Sequence, residues 1–480
     1  MPRMPEPFPD DLRAAMESLS GAAGRLLDQV EADPSLCDRS RFEPMFDRAR
    51  EILPVALGFD PDGPYGVQPW PLLVAESRRE EMLSLSRRLS RLVRDLPRRV
   101  FGDDVEALQA FYGLHNPMLA MLLMSEPTGI PDMICRLDLV DTPDGVKCIE
   151  FNAGNPGGWQ HNALFETFQD DSPFAEFMQP LDLWWDDSVD LLVDHMVRRV
   201  LAEPQFADEP SLNLTVVSAN SHGYIPANHA PAYYQARLDD ALARHAGGKP
   251  GRVHVVTSPD LGFDKGKVVV AGDRIHGVVE MVAEPSSRDL FRSSKAGHVL
   301  LFTPPVGPLV LGDKRNLTLL SERADSELFS DDERELIHRY IPWTRTVSAD
   351  RTASFRGGPE KGMRDLLAEH RDELVLKGGL SVGGEHVVIG RFVDDARWKW
   401  AVDTAFEKGS WVMQEFLDVP LFPLQHGADG WAPHRLVWGP FVFGDVDGGL
   451  FVRVLPTEEG PVVNIGTGAM AALPYIVPGT

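Results

Sequence analysis

Apolar residues recur at helical spacing over the first part of the chain. From residue 10 to residue 30 they follow one face of a helix, and a second amphipathic pattern covers residues 73–96. These patterns predict that the first 130 residues are mainly helical. Helical spacing returns at 164–170 and at 187–201.

Strand and helix patterns alternate from about residue 211. In chain order they are a strand at 214–218, a helix at 232–245 and strands at 252–257 and 267–271. Such alternation is typical of a small parallel sheet. From residue 300 onward strand patterns dominate, with helices predicted over 331–340 and 360–371. The chain is therefore predicted to be an α+β protein.

A β-hairpin is predicted in the first third of the chain. Apolar and β-branched residues at 133–140 and 146–152 flank a Pro-Asp-Gly turn, and we expect the register to be centred on Asp144. The second strand runs into a glycine-rich loop at 153–158. In such a loop the backbone can come close to a small polar ligand.

The expected register brings four polar side chains to one face of the hairpin. It places Asp138 opposite Glu150 and Arg136 opposite Asn152. Directly opposed side chains lie about 5 Å apart, where two carboxylates destabilise each other unless a cation lies between them. Oxygen donors suit Mg²⁺ or Mn²⁺ better than Zn²⁺. The pattern therefore predicts a metal site, against the alternative of a hairpin with one solvated face.

A lysine and a glycine-rich loop follow in the last third. The strand pattern at 374–377 ends in Lys377, and a second strand is predicted at 387–390. The loop glycines expected to contact a ligand are Gly378, Gly379, Gly383 and Gly384. Backbone N–H groups of such a loop can bind phosphate oxygens while the lysine supplies positive charge. The alternative is an ordinary flexible hairpin tip.

A polar pair interrupts the apolar strand pattern at 411–417, where Gln414 is followed by Glu415. A polar pair between apolar neighbours can recognise the amino group and ring nitrogen of adenine. The alternative is an edge strand that presents two polar residues to water. The lysine strand and the oxygen-rich hairpin favour the nucleotide site.

Composition limits the partners. The 480 residues are 43% hydrophobic and 25% charged, as in an ordinary globular protein of two or three domains or one large composite. A formal net charge of −25 disfavours binding to nucleic acid or to an anionic membrane. We interpret the arginine-rich segment 87–99 as the solvent-exposed side of a helix.

No targeting or membrane-spanning segment is predicted. The first residues lack a cationic start followed by an apolar core, and the longest uncharged apolar run, 117–124, is too short to cross a bilayer. The three cysteines form no disulfide framework or zinc pattern, and Cys135 and Cys148 are interpreted as packing residues. We therefore expect a cytoplasmic protein.

Together these motifs resemble those of the ATP-grasp ligases, in the permuted branch to which glutathionylspermidine synthetase belongs. The matching segments are Arg136-Leu-Asp138, Glu150-Phe-Asn152, 311–320, 341–345, 374–377, 412–417 and 449–454. In the ordinary ATP-grasp order the metal-binding strands come last, whereas here they precede the lysine loop. The resemblance covers about residues 131–477.

The resemblance implies an ATP-grasp fold, in which two α+β subdomains in permuted order grip ATP. A small α/β module and a helical N-terminal region would accompany them. The implied division is a helical region at 1–130, the first ATP-grasp part with the metal-binding hairpin at 131–210, a substrate module at 211–300 and the nucleotide-binding part with the glycine-rich lid at 301–480.

It also implies a role for each matching side chain. The implied roles are Mg²⁺ binding for Asp138, Glu150 and Asn152, ATP contact for Lys314 and Lys377, adenine binding for Gln414, Glu415 and Leu417, and contact with the phosphoryl group and its acceptor carboxylate for Arg136 and Arg453. Two Mg²⁺ ions are expected, with Mn²⁺ able to replace them. For Arg453 the alternative is an ion pair with one of the chain's many acids.

The implied activity is ATP- and Mg²⁺-dependent joining of a carboxylate to an amine through an acyl phosphate, on an amino acid or a small peptide. The expected partners are these small molecules, and a homodimer stays open. Two alternatives also stay open: an ATP-dependent phosphotransferase and a non-catalytic nucleotide-binding protein. Where the synthetase has small hydroxyl residues, this chain has Gly154, Asn155 and Gly157. Glutathione and spermidine are therefore not assigned as substrates.

Overall fold

The computed structural model describes residues 7–56, 66–115, 132–154, 156–159, 164–218, 230–281, 287–380, 386–427 and 430–479. Its α-helices are α1 (Asp10–Leu19), α2 (Gly21–Ala32), α3 (Glu43–Ala56), α4 (Glu76–Phe101), α5 (Val105–Tyr112), α6 (Phe165–Asp170), α7 (Ala175–Met178), α8 (Ser188–Leu201), α9 (Ala230–Ala246), α10 (Arg288–Lys295), α11 (Arg315–Arg323), α12 (Asp331–Tyr340), α13 (Met363–Glu369) and α14 (Asp395–Lys408). None of the helices within these ranges is long and apolar enough to cross a membrane.

The strands are β1 (Leu72–Ala75), β2 (Ile134–Thr142), β3 (Gly145–Ala153), β4 (Leu214–Ser218), β5 (Val253–Thr257), β6 (Gly262–Asp264), β7 (Lys267–Val270), β8 (Asp273–Arg274), β9 (Gly277–Met281), β10 (Leu300–Leu301), β11 (Thr344–Thr346), β12 (Thr352–Ala353), β13 (Lys361–Gly362), β14 (Leu374–Gly378), β15 (Val387–Ile389), β16 (Trp411–Glu415), β17 (Phe422–His426), β18 (Gly430–Phe443), β19 (Val446–Pro456), β20 (Met470–Ala472) and β21 (Pro474–Val477). Short 3₁₀ turns lie at Pro34–Cys37, Arg39–Phe42, Gln179–Leu181, Pro204–Phe206, Ser258–Asp260, Arg371–Glu373, Gly390–Phe392 and Ile465–Thr467, and a π-helical turn lies at Gly307–Leu311.

The largest sheet joins distant parts of the chain. Its strands lie in the order β20-β19-β18-β2-β3, and β17 also pairs with β18. Strand β18 runs antiparallel to both β19 and β2. Apolar side chains on these strands, among them Leu137, Trp438 and Val452, are fully buried. The predicted hairpin is thus fixed in place by a second hairpin from the C-terminal part of the chain.

A second, antiparallel sheet carries the segments predicted to bind nucleotide. Its strand order is β11-β16-β14-β15. Helices α13 and α14 cover it with an apolar cluster of its own, which includes Leu376, Ala401 and Met413. Strand β16 is paired on both sides, with β11 and with β14. It is therefore a central strand, and the alternative of an edge strand is wrong.

Four parallel strands form a third sheet, in the order β10-β9-β4-β5. The predicted strands at 214–218 and 252–257 are found there, but the predicted strand at 267–271 is not. That segment is β7, which pairs antiparallel with β6 and β8. Lys265 and Gly266 both have positive φ, and this tight turn folds β7 back on its neighbour. The third parallel strand is β9 instead.

The N-terminal helices share one apolar core with the large sheet. The pattern at 10–30 is two helices, because Ser20 is extended and its hydroxyl caps α2 by accepting a hydrogen bond from Ala23 N at 3.1 Å. The start of the pattern at 73–96 is strand β1, which pairs in parallel with β21. The domain boundaries at 130, 210 and 300 stay a prediction.

The interpretation of 87–99 as a solvent-exposed face holds only in part. Arg88, Arg91 and Arg98 are exposed, whereas other arginines of α4 dock the helix on the large sheet. Arg94 is buried and pairs with Asp445, and Arg91 lies 3.1 Å from the same carboxylate. Arg87 pairs with Asp447. Both aspartates lie where β18 turns into β19, so the helix is attached to the hairpin that completes the sheet.

Cys37, Cys135 and Cys148 are all buried, and none of them forms a disulfide bond. Burial raises the pKa of Cys135 and of Cys148 to about 12. Their thiols therefore stay protonated at neutral pH, in agreement with a packing role.

The hairpin has the predicted register where the polar residues lie. Arg136 pairs with Asn152, and Asp138 pairs with Glu150. Beyond this point the register shifts by one, because Ile149 is an extra, bulged residue on β3. The turn itself is therefore not centred where we expect it. The prediction of the polar face is confirmed. The turn is centred between residues 143 and 144, because Thr142 pairs with Gly145, and not on Asp144 as predicted.

Gly154, directly after β3, packs against the π-helical turn. Its φ is +97°, and a Cβ at this position would lie 2.5 Å from Cδ of Pro308. A Cβ at Gly307 would in turn lie 2.8 Å from Cα of Gly154. We expected the loop around Gly154 to allow close approach of a ligand, but Gly154 instead allows close approach of Gly307 and Pro308. This contact fixes the end of the hairpin against the segment that leads to Lys314.

We predict that Gly154→Ala destabilises the fold more than Gly145→Ala does. Gly145 has nearly the same φ, +99°, but no atom within 4 Å of an added Cβ. Its substitution should cost only the backbone strain of about 1–2 kcal/mol, whereas Gly154→Ala adds a steric clash of about 1–3 kcal/mol. Chemical denaturation of both variants measures the difference. Equal losses in the free energy of unfolding would contradict the close contact with Pro308.

Candidate functional site

A cavity lies between the large sheet and the second, four-stranded sheet. Its lining residues are Asp138, Val140, Ile149, Glu150, Lys314, Val375, Lys377, Val387, Ile389, Gln414, Glu415, Phe416, Leu417, Val419, Arg435, Leu436, Val437, Pro461, Val462, Val463 and Asn464. Predicted site residues from three separate stretches of sequence meet here: the hairpin, the segment at 311–320 and the strands of the second sheet. Apolar side chains form most of the remaining wall, as in sites that bind a flat ring.

Lys377 lies at the centre of this cavity wall. Its Nζ donates to Oε1 of Gln414 at 2.7 Å and to the carbonyl oxygen of Ile149 at 3.0 Å. Burial lowers the pKa of Lys377 to about 8, although the nearby carboxylate of Glu150 acts in the opposite direction. A lysine that has lost this much hydration will gain from any anion that enters the cavity.

Gln414 holds this lysine rather than standing free. While its Oε1 accepts from Lys377, its Nε2 donates to Oγ1 of Thr344 at 3.1 Å. The side chain is only 2% exposed. Both ends of the amide therefore have partners within the protein, and Gln414 contributes to the cavity mainly by orienting Lys377.

Glu415 is likewise committed to the protein. Its Oε1 accepts from the backbone N of Trp343 at 3.0 Å, and its Oε2 lies 3.5 Å from Nε of Arg356. Strand β16 ends at this residue. The chain from Glu415 to Leu417 leaves the sheet at the cavity wall, where the backbone N–H groups of Glu415 and Phe416 donate to the carbonyl oxygens of Trp343 and Glu373.

Lys314 enters the cavity from the opposite side of Glu150. Its Nζ lies 3.3 Å from Oε1 of Glu150, and its backbone N donates to the carbonyl oxygen of Gly379 at 3.0 Å. The side chain is buried. The two lysines thus flank one carboxylate, and both are held at the wall by the neighbouring sheet.

The two arginines predicted to contact the phosphoryl group are buried behind Asp138 and do not line the cavity. Nε of Arg136 is 3.2 Å from Oδ1 of Asp138, and Nη2 of Arg453 is 2.7 Å from Oδ2. Burial alone would raise the pKa of Asp138, but the guanidinium groups of Arg453 and Arg136 outweigh it and hold that pKa below its usual range. The ring of Phe451 lies against both arginines, 5.6 and 5.9 Å from the guanidinium carbons. Arg453 therefore forms the ion pair that the alternative interpretation predicts. Its partner, Asp138, lines the cavity.

The third predicted metal ligand does not line the cavity. Asn152 faces Arg136 across the hairpin, and its Nδ2 is buried without a hydrogen-bond partner among the described residues. Among the residues that the structure describes, no three His, Cys, Asp or Glu side chains come together as a metal site. The two hairpin carboxylates, Asp138 and Glu150, do face the cavity with oxygen donors of the kind that Mg²⁺ prefers.

The predicted loop glycines have a packing role where the structure describes them. Gly378 and Gly379 are buried, and a Cβ at Gly379 would lie 2.4 Å from the carbonyl oxygen of Ser410. Gly383 and Gly384 lie outside the described residues. Contact between this loop and phosphate stays a prediction.

Arg435 and Asn464 line the cavity but were not expected there. Nη1 of Arg435 donates to the carbonyl oxygen of Gly460 at 2.9 Å and so ties the segment before Asn464 to β18. Burial lowers the pKa of Arg435. A lone arginine on a long strand carries no motif, so the sequence offers no signal for it.

No family model matches the sequence, and no curated protein matches it either. Among solved structures, the chain is similar to the apo form of a glutathione synthetase-like effector from Globodera pallida. The TM-score is 0.52 at 14% sequence identity, and the superposition covers 86% of this chain and 90% of that chain. This likeness concerns the fold alone, a mixed α+β fold that is compatible with the ATP-grasp-like kind. The permuted branch stays a prediction.

We predict that Lys377 makes stability depend on pH above pH 8. Its folded pKa of about 8 lies below the ordinary lysine value of 10.5, so the unfolded chain binds more protons between these values and the fold gains stability as the pH rises. The gain is at most about 1.4 kcal/mol per pH unit. It should be missing in Lys377→Met. Urea denaturation of both proteins between pH 7.5 and about 10 measures this, and parallel curves would show that Lys377 is not desolvated as described.

Proposed function

We propose that the chain is an ATP-dependent carboxylate–amine ligase that forms an amide bond through an acyl phosphate. The observation that carries the proposal is the meeting of Lys314, Lys377 and two hairpin carboxylates in one cavity. The wall of that cavity also holds the segment predicted to bind adenine. A glutathione synthetase-like fold supports the same class of activity, as does the resemblance of the motifs to ATP-grasp ligases.

Binding would begin with the two lysines. Lys314 and Lys377 carry compact positive charges into a partly dehydrated cavity, where they would attract the phosphates of ATP. The apolar wall near Phe416 and Leu417 would cover the base. The protein would thus position the nucleotide without reacting with it.

The arginine pair would act on the transferred group. In the first step the γ-phosphoryl group leaves ADP and bonds to an oxygen of the substrate carboxylate. Arg136 and Arg453 lie behind Asp138 and off the cavity wall, so they would offset the negative charge on these oxygens from a distance rather than by contact. In the second step the amine nitrogen bonds to the carbonyl carbon, phosphate leaves with the C–O bond electrons, and the nitrogen loses a proton. No enzyme nucleophile is required.

Asp138 and Glu150, which line the cavity, would hold Mg²⁺. The bound ion would neutralise phosphate charge. The substrates would be a small carboxylate, such as an amino acid or short peptide, and a small amine. Cytoplasmic location and the permuted order of the two subdomains belong to the same proposal.

We predict that Glu150→Gln abolishes phosphate release while the fold survives. The change keeps the shape of the side chain but removes the charge that faces Lys314. The assay measures the phosphate that is released from ATP when the purified protein is incubated with Mg²⁺ and pools of amino acids and amines. Glu333→Gln is the matched control, because Glu333 is as half-buried as Glu150 and pairs with Arg99 outside the cavity.

In this assay, turnover by Glu150→Gln at the wild-type rate would contradict the role of Glu150. If a phosphorylated product forms without any amine, the chain is a phosphotransferase and not a ligase. ATP binding without turnover in any pool would favour a non-catalytic nucleotide-binding protein.

A further inference from the structure

The segment that carries Lys314 is braced from behind by α5. The hydroxyl of Tyr112, the last residue of this helix, donates to Oδ1 of Asn316 at 2.6 Å. Both side chains are buried, with 2% and 0% exposure. This hydrogen bond joins the N-terminal helices to a residue two positions after Lys314.

Asn316 in turn holds the π-helical turn. Its Nδ2 donates to the carbonyl oxygens of Val310 at 2.7 Å and Leu311 at 3.1 Å. These are the last carbonyls of the turn, and a π-helical turn is a rare conformation that leaves such groups without regular helix partners. The amide of Asn316 therefore keeps both flanks of Lys314 at a fixed separation.

The residues on either side of Lys314 make the same connection. Nη2 of Arg315 lies 2.6 Å from Oδ2 of Asp313, and its Nη1 donates to the carbonyl oxygen of Phe111. The guanidinium also lies against the ring of Phe111, at 4.8 Å. Two consecutive residues of α5, Phe111 and Tyr112, thus contact the segment at two separate points.

We propose that Tyr112 and Asn316 are positioning residues that hold Lys314 against the phosphates of the bound nucleotide. The inference rests on the proposed function. A lysine side chain is long and flexible and places its charge accurately only if its backbone is fixed. On one side, Lys314 is fixed by Gly379 of the second sheet. On the other side, its carbonyl oxygen accepts from the backbone N of Leu317 at 3.1 Å, and the brace from α5 holds this start of α11 in place. The N-terminal helices thereby gain a role in nucleotide binding.

The test is Tyr112→Phe in the full-length protein, with binding of ATP, ADP and adenosine measured by calorimetry. The variant keeps the ring but removes the donor to Asn316. We expect the Kd for ATP and ADP to rise on the order of tenfold, as when an outer partner of a metal ligand is lost. The Kd for adenosine should stay unchanged, because adenosine carries no phosphate for Lys314 to contact.

Tyr475→Phe is the matched control. Tyr475 is also buried, and its hydroxyl donates to the carbonyl oxygen of Phe165 at 2.8 Å, on a strand that does not line the cavity. Its loss should lower the unfolding temperature about as much as Tyr112→Phe without changing the Kd for ATP. A general loss of stability is thereby separated from a loss of positioning.

A double-mutant cycle completes the test. In a Lys314→Met background, Tyr112→Phe should have no further effect on the Kd for ATP, because its effect acts through Lys314. Additive effects, or equal weakening of ATP and adenosine, would overturn the positioning role. An unchanged Kd for ATP in Tyr112→Phe would overturn this inference alone. If the unmodified protein binds no ATP, the proposed function fails as well.

Discussion

The pairing of β2 with β18 is the contact on which the rest of the site depends. It brings Asp138 on β2 next to Arg453, which reaches it from β19 beyond β18. Arg136 binds the other oxygen of the same carboxylate. Removing one member of such a buried charge group leaves the others uncompensated, at a cost of several kcal/mol, roughly 3–5. The stability of the sheet in this register therefore depends on all three charges.

The bulge on β3 joins this sheet to the second one. A bulged residue is left out of the regular hydrogen-bond ladder, and here the carbonyl oxygen of Ile149 accepts from Nζ of Lys377 instead. The same irregularity that shifts the turn thus provides the direct contact between the hairpin and the lysine strand.

Local pattern was sufficient to predict most elements of this fold. The hairpin face, the helix at 331–340 and the strand ending in Lys377 are confirmed because each depends on neighbouring residues. The errors come from long-range contacts. Nothing near residue 73 shows that it begins a strand paired with the C-terminal β21, and nothing near Arg94 shows that Asp445 will bind it.

The candidate site shows the same division. Residue type and spacing predicted Asp138, Glu150 and Lys377, and the resemblance to the ATP-grasp ligases implied Lys314. These four side chains line the cavity, whereas the predicted Arg136 and Arg453 do not. Spacing could not show that Gln414 uses both ends of its amide within the protein. Nor could it show that Asn152 lies off the cavity wall, because hairpin register places a residue on a face without fixing which neighbours cover it.

The charge balance around the cavity argues for an anionic ligand. The cavity wall carries three cations, Lys314, Lys377 and Arg435, against the three carboxylates of Asp138, Glu150 and Glu415. Arg136 and Arg453 behind Asp138 add two more cations, although the whole chain has a net charge of −25. Gathering an excess of buried cations in an acidic protein costs hydration energy, as the lowered pKa of Lys377 shows. A polyanion that enters the cavity returns that interaction energy. Its binding should therefore stabilise the two sheets against each other as well as fill the space between them.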